Sequence, residues 1–384
     1  MKLWKRASGA LKDRKSILKA SLTCRSGLRN INIETTVIKA TTHDESRVDY
    51  HSIQSVFAWV RISDDSLHHV LWALFRRMEK TCSWVVILKG LMLLHGVFCC
   101  KVPGIQEIGR LPLNLINLKD KHTKHGKMLG LNNFIRAYYG FLDEKSSFIF
   151  LHSQEQTKRM ETFSHDETSD QQKEKFMIQD FFWLQKLQGL LHTLLLIQLK
   201  SSQPVNMLVL EAMDCIVIEV YDIYGRISNG IETLIGRINS AGIGEARMAL
   251  LILHKAKVQN EELSVFLEFC KDIGVGNAYH SPKIEPVPEE SIRELEDIIN
   301  GVSEIEQFPK EEEKRIVVIE KHTFKKTHDD NNSLKTVISN EWEAFEELKK
   351  PDLIDMSSPP VNNNTRFDPF VQQNILQVPD LIKL

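Results

Sequence analysis

The segment 181-FFWLQKLQGLLHTLLLIQL-199 decides the fold class of this chain, because its apolar residues return at helical intervals. Steps of three and four positions, which line one face of an α-helix, separate Leu184, Leu187, Leu191, Leu194 and Leu195. We find no convincing alternating pattern of the kind that predicts a β-strand. Gln185, Lys186 and Gln188 interrupt the apolar run, so the segment does not have the composition of a transmembrane span.

The same helical period recurs further along the chain, for example at Ala246, Ala249, Leu250 and Leu253. A polar run, 63-SDDS-66, offers capping side chains at the start of one such helix. Glycines separate the periodic segments at Gly104, Gly225, Gly242, Gly244 and Gly274. We therefore expect helices of roughly 10–20 residues joined by short turns. The predicted fold class is all-α, an α-solenoid of stacked antiparallel helices.

Changes in composition divide the chain into three predicted domains, at residues 1–30, 31–300 and 301–384. The first carries nine Lys and Arg residues against the single acid Asp13, a local net charge of +8. The second holds the helical array, with a polar stretch at 153–175 that predicts an exposed loop and a last helix around 291–299. The third is too polar to bury a core and is predicted to be a disordered C-terminal tail.

The overall composition excludes several classes of function. The net charge is −2, so we expect no nucleic-acid partner, and any attraction to a membrane must be local. The six cysteines show no metal-ligand spacing, and no signal peptide precedes them, which predicts reduced, mostly buried thiols in a cytoplasmic protein. Without a P-loop, HExxH or GxSxG motif, we predict no catalytic residues, no metal site and no cofactor.

The motif 37-VIKATTHDE-45 resembles the signature of the ANTH domain in clathrin assembly proteins of the plant type, a Lys-Ala-Thr-(Thr/Asn)-His-Glu-like run early in the chain. The resemblance extends more loosely to about residue 300 and includes 242-GIGEA-246. It implies an ENTH/ANTH-like α-solenoid that binds phosphatidylinositol 4,5-bisphosphate through a shallow basic surface.

The resemblance also implies candidate lipid-binding residues. Lys39 matches the lysine before the Ala-Thr run, and His51 matches the end of a basic-x-basic-His cluster about ten residues later. Val48 and Tyr50 occupy the two basic positions of that cluster, so two charges are missing. Nearby cations can compensate in part, and the predicted lipid-binding set is therefore Lys39, His43, Arg47 and His51. A solvated helix end with a locally bonded histidine is the alternative interpretation.

The basic N-terminus has an amphipathic pattern, in which Leu3, Ala7, Leu11 and Leu18 fall near one helical face with lysines around its rim. Such a helix suits the headgroup region of a membrane. The predicted membrane-contacting residues are Leu3, Trp4, Lys5, Arg6, Leu11 and Lys12. A frayed terminus, or a helix packed on the solenoid, is the alternative.

The predicted tail contains short motifs that resemble binding sites for the coat machinery. Adaptor-binding candidates are a WxxF motif and a DPF motif, formed by Trp342 and Phe345 and by Asp368, Pro369 and Phe370. Two incomplete clathrin boxes consist of Leu353, Ile354, Asp355 and Met356 and of Leu381, Ile382 and Leu384. Several weak motifs can act together through effective concentration on a lattice.

These features predict a non-enzymatic adaptor for clathrin-mediated endocytosis or vesicle budding. Its expected partners are clathrin, the heterotetrameric clathrin adaptor complex and a phosphoinositide-containing membrane. Its expected location is peripheral on cytoplasmic membrane surfaces, at clathrin-coated pits and vesicles, the plasma membrane and the Golgi or trans-Golgi network. The alternative is a helical protein-binding scaffold, for example for SNARE proteins, with weak or no phosphoinositide recognition.

Overall fold

The computed structural model describes residues 2–22, 30–81, 83–113, 115, 125–163, 170–199, 205–237 and 242–305. Within these residues the chain forms ten α-helices and no strand. The helices are α1 (Lys2–Leu22), α2 (Ile31–Ala40), α3 (Tyr50–Ile62), α4 (Asp64–Lys80), α5 (Trp84–Cys99), α6 (His125–Phe163), α7 (Asp170–Leu195), α8 (Met207–Ile235), α9 (Ile243–Asp272) and α10 (Glu289–Ile305). Two short 3₁₀ helices lie at Pro103–Glu107 and Gly276–His280.

Polar side chains fix where several of these helices begin. Asn30 accepts hydrogen bonds from the backbone amides of Asn32 and Ile33, and Asp49 accepts one from Ser52. Ser63 accepts one from Ser66, which confirms the cap predicted at the start of α4. Because each cap satisfies amides that a helix leaves unbonded at its first turn, the break between consecutive helices is sharp.

The helices stack mainly on their neighbours in the chain, as the solenoid prediction required. Contacts join α1 to α2, α2 to α3 and α4, and then each helix from α4 onward to the next. α7 also packs on α9, and α10 closes the array on α9, where a last helix was predicted. The most buried element is α5, whose mean hydropathy is the highest of the helices and whose side chains are almost all buried.

A polar ladder crosses the interior between α5, α6 and α8. His95 Nε2 lies 3.0 Å from Glu219 Oε2, His95 Nδ1 lies 2.8 Å from the Tyr138 hydroxyl, and Lys145 Nζ donates to Glu219 Oε1 at 2.6 Å. Burial opposes the ionised form of Glu219, but Lys145 and His95 outweigh it and lower the pKa of this carboxyl to about 2. The buried acid is therefore a charged and paired part of the core.

Four helices are longer than the sequence predicted. α6 has 39 residues, α7 has 26, α8 has 29 and α9 has 30. Gly225, which was expected to end a helix, lies inside α8, where a Cβ would meet no atom within 4 Å. A single glycine lowers helical propensity by only about 1 kcal/mol, and the apolar face of α8 continues on both sides of it.

The loop predicted at 153–175 is wrong for most of its length, because α6 continues to Phe163 and α7 begins at Asp170. Polar contacts join the two helices where they leave the core. Arg159 Nη1 donates to Asp180 Oδ1 at 2.9 Å, and Gln179 Nε2 donates to Glu155. The polar composition does not require a loop, because a helix satisfies its own backbone groups.

The described cysteines also differ from expectation. Cys270 is buried, Cys100 and Cys215 are half-buried and Cys99 is exposed, and all four are free thiols. The predicted tail, residues 301–384, lies outside the described residues except for the last turn of α10, and Cys24 and Cys82 lie outside them too.

Two glycine substitutions test the packing of the long helices. A Cβ at Gly96 in α5 would overlap the buried ring of Phe57, so Gly96→Ala should lower the free energy of unfolding by about 1–3 kcal/mol. Gly225→Ala, in open space, should raise it by about 0.5–1 kcal/mol through the lost flexibility of glycine. Urea denaturation followed by circular dichroism measures both changes, and equal effects of the two variants would contradict the packing described here.

Candidate lipid-binding site

Helix α1 is docked on the solenoid through one face. Gly9, Asp13 and Ala20 are buried on this face, and α1 packs against α2. A Cβ at Gly9 would come within 2.8 Å of the Cβ of His43, so only glycine allows the two segments to approach this closely. The helix is therefore an ordered part of the array, as one of the alternative interpretations of the N-terminus proposed.

A buried network of charged groups holds α1 in place. Asp13 accepts a hydrogen bond from Arg77 Nη2 at 2.5 Å and one from the backbone amide of His43 at 2.9 Å. His43 Nδ1 lies 2.7 Å from the same carboxylate. Arg77 also donates to the carbonyl of Thr41 and to the hydroxyl of Ser16. The network connects α1, the end of α2 and α4.

The charges in this network compensate one another. Burial opposes ionisation of Asp13, but the bonds from His43 and Arg77 outweigh it and lower the pKa of the carboxyl below its ordinary value. The Arg77 side chain is only 5% exposed, so its charge depends on this carboxylate for a partner. Removal of either group would leave the other as an uncompensated buried charge.

The opposite face of α1 is apolar and open. Leu11, Leu18 and Leu22 are 66%, 64% and 78% exposed, and their spacing of seven and four residues places them on one line along the helix. Exposed cations flank this line at Lys12, Arg14 and Lys15. α1 thus combines a docked polar face with a free apolar face that has a basic rim, the arrangement of an interfacial amphipathic helix.

Lys89 fixes the loop between α2 and α3. Its ammonium is almost completely buried and donates to the carbonyls of Asp44 and Arg47, at 2.7 Å each, and to the Thr42 hydroxyl at 3.2 Å. Desolvation lowers the pKa of Lys89 to about 8, although nearby acids such as Asp44 oppose the shift. The loop that carries the predicted lipid-binding residues is therefore a fixed structure.

The predicted lipid-binding residues occupy two different environments. Lys39 in the last turn of α2, Arg47 in the loop and His51 in the first turn of α3 are exposed. His43 instead has a side chain that is 10% exposed and faces Asp13. The structure therefore brings three of the four residues to the surface of one segment, and it places the fourth beneath that surface as part of the network that docks α1.

Val48 and Tyr50 stand where the family motif has basic residues, and they face inward or toward another helix. Val48 is buried in the core. Tyr50 contacts Glu211 of α8, and burial together with this acid raises the pKa of the phenol well above its ordinary value. Acidic groups also lie in the loop, where Asp44 is 3.9 Å from Arg47 and 4.0 Å from Arg6. The positive potential of this segment is thus weaker than that of α1.

Sequence reasoning missed Arg77 and Lys89, although each leaves a signal. Arg77 follows Leu67, Val70, Leu71 and Leu74 on the apolar face of α4, and Lys89 stands in the middle of an apolar run. A cation at a core position indicates a buried partner, but the sequence does not identify that partner.

Other predicted site residues lie outside the described part of the chain. Leu3, Trp4 and Lys5 belong to α1, but the structure does not describe their side chains. Both adaptor motifs and both clathrin boxes lie wholly outside the described residues. The motifs are Trp342 and Phe345, and Asp368, Pro369 and Phe370; the boxes are Leu353, Ile354, Asp355 and Met356, and Leu381, Ile382 and Leu384.

One group of possible metal ligands occurs among the described residues, formed by His95, Cys99 and Glu219. Lys145 already neutralises Glu219. Although Cys99 is exposed as a residue, desolvation raises the pKa of its thiol to about 11. A cation there would compete with the lysine and would have to ionise an unfavourable thiol. These residues therefore fit the internal polar ladder better than a metal site.

Comparison with known proteins identifies the family to which this arrangement belongs. The family model of the ANTH domain matches residues 32–301. The chain belongs to the ANTH-domain family. Membership confirms the resemblance found in the motif at 37–45, and it confirms the prediction of a non-enzymatic protein. None of the helices that the structure describes is long and apolar enough to cross a membrane.

Several relatives of this chain come from Arabidopsis thaliana. "Putative clathrin assembly protein At1g25240" is 43% identical over 90% of this chain and 88% of its own length. "Putative clathrin assembly protein At1g68110" is 41% identical over the same shares. "Putative clathrin assembly protein At1g14686" is 33% identical over 79% of this chain and 84% of its own length. The similarity thus extends along most of the chain.

The network beneath α1 makes a testable contribution to stability. Asp13→Asn should leave Arg77 without a charged partner and lower the free energy of unfolding by about 3 kcal/mol. Arg6→Gln, a control on the exposed side of the same helix, should change it by less than about 0.5 kcal/mol. Urea denaturation at pH 7 measures both, and a loss below about 1 kcal/mol for Asp13→Asn would contradict the role of the network.

Proposed function

We propose that this ANTH-domain protein is a clathrin assembly adaptor that lies on a phosphoinositide-containing membrane and gathers clathrin and its adaptor complex through residues 301–384. The proposal depends above all on one observation, the open apolar face of α1 with its basic rim. The names of the Arabidopsis relatives, which describe clathrin assembly proteins, supply the link to the coat.

The geometry of α1 supports a peripheral mode of membrane binding. The docked face of the helix leaves Leu11, Leu18 and Leu22 exposed along one line. Full burial of a leucine contributes about 1.5–3 kcal/mol, and each nearby Lys or Arg adds about 1 kcal/mol at an anionic leaflet. A few such residues are sufficient for reversible binding without a membrane span.

The end of α2, the loop that follows it and the start of α3 supply the proposed headgroup contacts. Lys39, Arg47 and His51 are exposed on this segment, and Lys89 and the Asp13 network hold its backbone from below. A shallow group of cations can bind phosphates without a deep pocket. In this proposal His43 positions the segment instead of contacting lipid.

Residues 301–384 supply the proposed contacts with the coat. The WxxF and DPF motifs are assigned to the adaptor complex and the two incomplete boxes to clathrin. Each motif is short and weak by itself. On a membrane that already holds the ANTH domain, effective concentration allows them to act together.

Co-sedimentation with liposomes tests the membrane part of the proposal. The protein should pellet with vesicles that contain phosphatidylinositol 4,5-bisphosphate more strongly than with phosphatidylserine vesicles of equal charge. Leu11→Glu with Leu18→Glu should abolish pelleting, since two apolar anchors become acids. Lys39→Glu should weaken it by about 10- to 30-fold, the effect of reversing one charge near the surface.

The control for Lys39→Glu is Lys283→Glu, the same charge change at an exposed residue after α9, which should stay within about twofold of the parent protein. Equal binding to both kinds of vesicle would remove the phosphoinositide part of the proposal. No binding to either would favour the alternative, a helical protein-binding scaffold, for example for SNARE proteins.

Binding to purified coat components tests the second part. Trp342→Ala with Phe370→Ala should lower retention on an adaptor appendage domain at least about tenfold, because each change removes an aromatic anchor. Leu353→Ala with Leu381→Ala should do the same on the clathrin terminal domain. Each pair serves as the control for the other, and retention that neither pair alters would contradict the assignment of these motifs.

A further inference from the structure

Helix α9 carries an exposed apolar line that the ANTH fold does not cover. Leu251, Val258 and Val265 are 63%, 55% and 63% exposed. Their spacing of seven residues places them on one line along the helix, almost two turns apart. A single exposed apolar residue needs no explanation, but a heptad line is the pattern of a seam between two helices.

The neighbours of α9 pack on either side of this line and leave it open. On one side Lys257 Nζ forms an ion pair with Glu289 of α10 at 2.5 Å. On the other side Gln259 Nε2 donates to the carbonyl of Gln188 in α7 at 2.7 Å. Within the part of the chain that the structure describes, the line therefore faces outward between two helices.

The two halves of α9 carry charges of opposite sign near the apolar line. Before Val258 the exposed charged residues near the line are the cations Arg247 and Lys255, with the His254 ring between them. After Val258 the ionisable residues near the line are acidic, namely Glu261, Glu262 and Glu268. Such a surface is complementary to itself when a second copy is turned end to end, because the basic half then faces the acidic half.

We propose that this face of α9 is a self-association surface, on which a second copy of the chain packs its own α9 in antiparallel orientation about a two-fold axis at Val258. Val258 then meets Val258 of the second copy, and Leu251 meets Val265. The residues that flank the line also find complementary partners. Lys255 lies against Glu262 and Arg247 against Glu268, which are opposite charges, and the His254 ring lies against Glu261 as a hydrogen-bond partner. Every pair occurs twice, as a two-fold interface requires.

The parallel arrangement lacks this complementarity. It would place the basic half of one α9 beside the basic half of the other and the acidic half beside the acidic half, and like charges brought together are unfavourable. α9 is about 45 Å long and contributes one apolar residue per heptad, so the interface lies at the small end of specific interfaces. We expect a reversible dimer with a dissociation constant on the order of micromolar or weaker, as is typical of interfaces of this size.

Sedimentation velocity of the full chain over a range of concentrations measures the association. Val258→Glu should abolish the dimer, whereas Leu151→Glu, the same kind of change at an exposed leucine of α6, should leave it unchanged. Lys255→Glu should weaken it about tenfold, and the addition of Glu262→Lys in the same chain should restore it, because the two residues pair reciprocally. Circular dichroism verifies that each variant is folded.

Disulfide cross-linking tests the orientation. Val258→Cys should link to itself in the dimer. Leu251→Cys alone and Val265→Cys alone should not, but a mixture of these two variants should form a linked pair. The background is a parent with Cys99→Ser, since Cys99 is exposed. A chain that stays monomeric at all concentrations, a dimer that survives Val258→Glu, or self-linking of Leu251→Cys would overturn the proposal.

Discussion

The buried carboxylate of Asp13 is the constraint on which the exposed apolar face of α1 depends. It is a single acid in a strongly basic segment, and it joins α1 to Arg77 in α4 and to His43 after α2. Through these bonds α1 is fixed by its polar face, and its leucines are left on the outside. A helix without this charge would bury its apolar face first, because burial of apolar area is the dominant favourable contribution to packing.

The loop between α2 and α3 shows how the ANTH fold can keep its shape while its surface charge changes. Lys89 binds the backbone carbonyls of Asp44 and Arg47 and one side chain, the Thr42 hydroxyl. Its bonds to the loop therefore do not involve the side chains of Val48 and Tyr50. Val48 can therefore turn into the core, and Tyr50 can contact α8, without a change in the path of the backbone. The apolar face of α1 then carries a larger share of the proposed contact with the bilayer.

Much of the fold could be predicted from the sequence, because helical periodicity and caps are local signals. Ser63, the leucines of α7 and the last helix before residue 305 were all placed correctly. The lengths of the helices were not predicted correctly. Gly225 and the polar residues 153–163 resemble helix breaks in the sequence, but the helical hydrogen bonds continue through them. The positions of Lys39, Arg47 and His51 on the surface followed from the family motif. The burial of His43 did not, because it depends on Asp13, which is thirty residues away in the sequence.

The polar end of α6 and the polar start of α7 determine where local unfolding costs least among the described helices. From Ser153 to Arg159, α6 is joined to α7 by groups such as Glu155 and Asp180 that water can solvate equally well. Separation of the two helices there exposes little apolar area, so its free-energy cost is far below that of global unfolding. Among the described helices, the amides at these ends of α6 and α7 will exchange with solvent through local fluctuations, and proteases will reach them before α5, which stays protected until the whole array is lost.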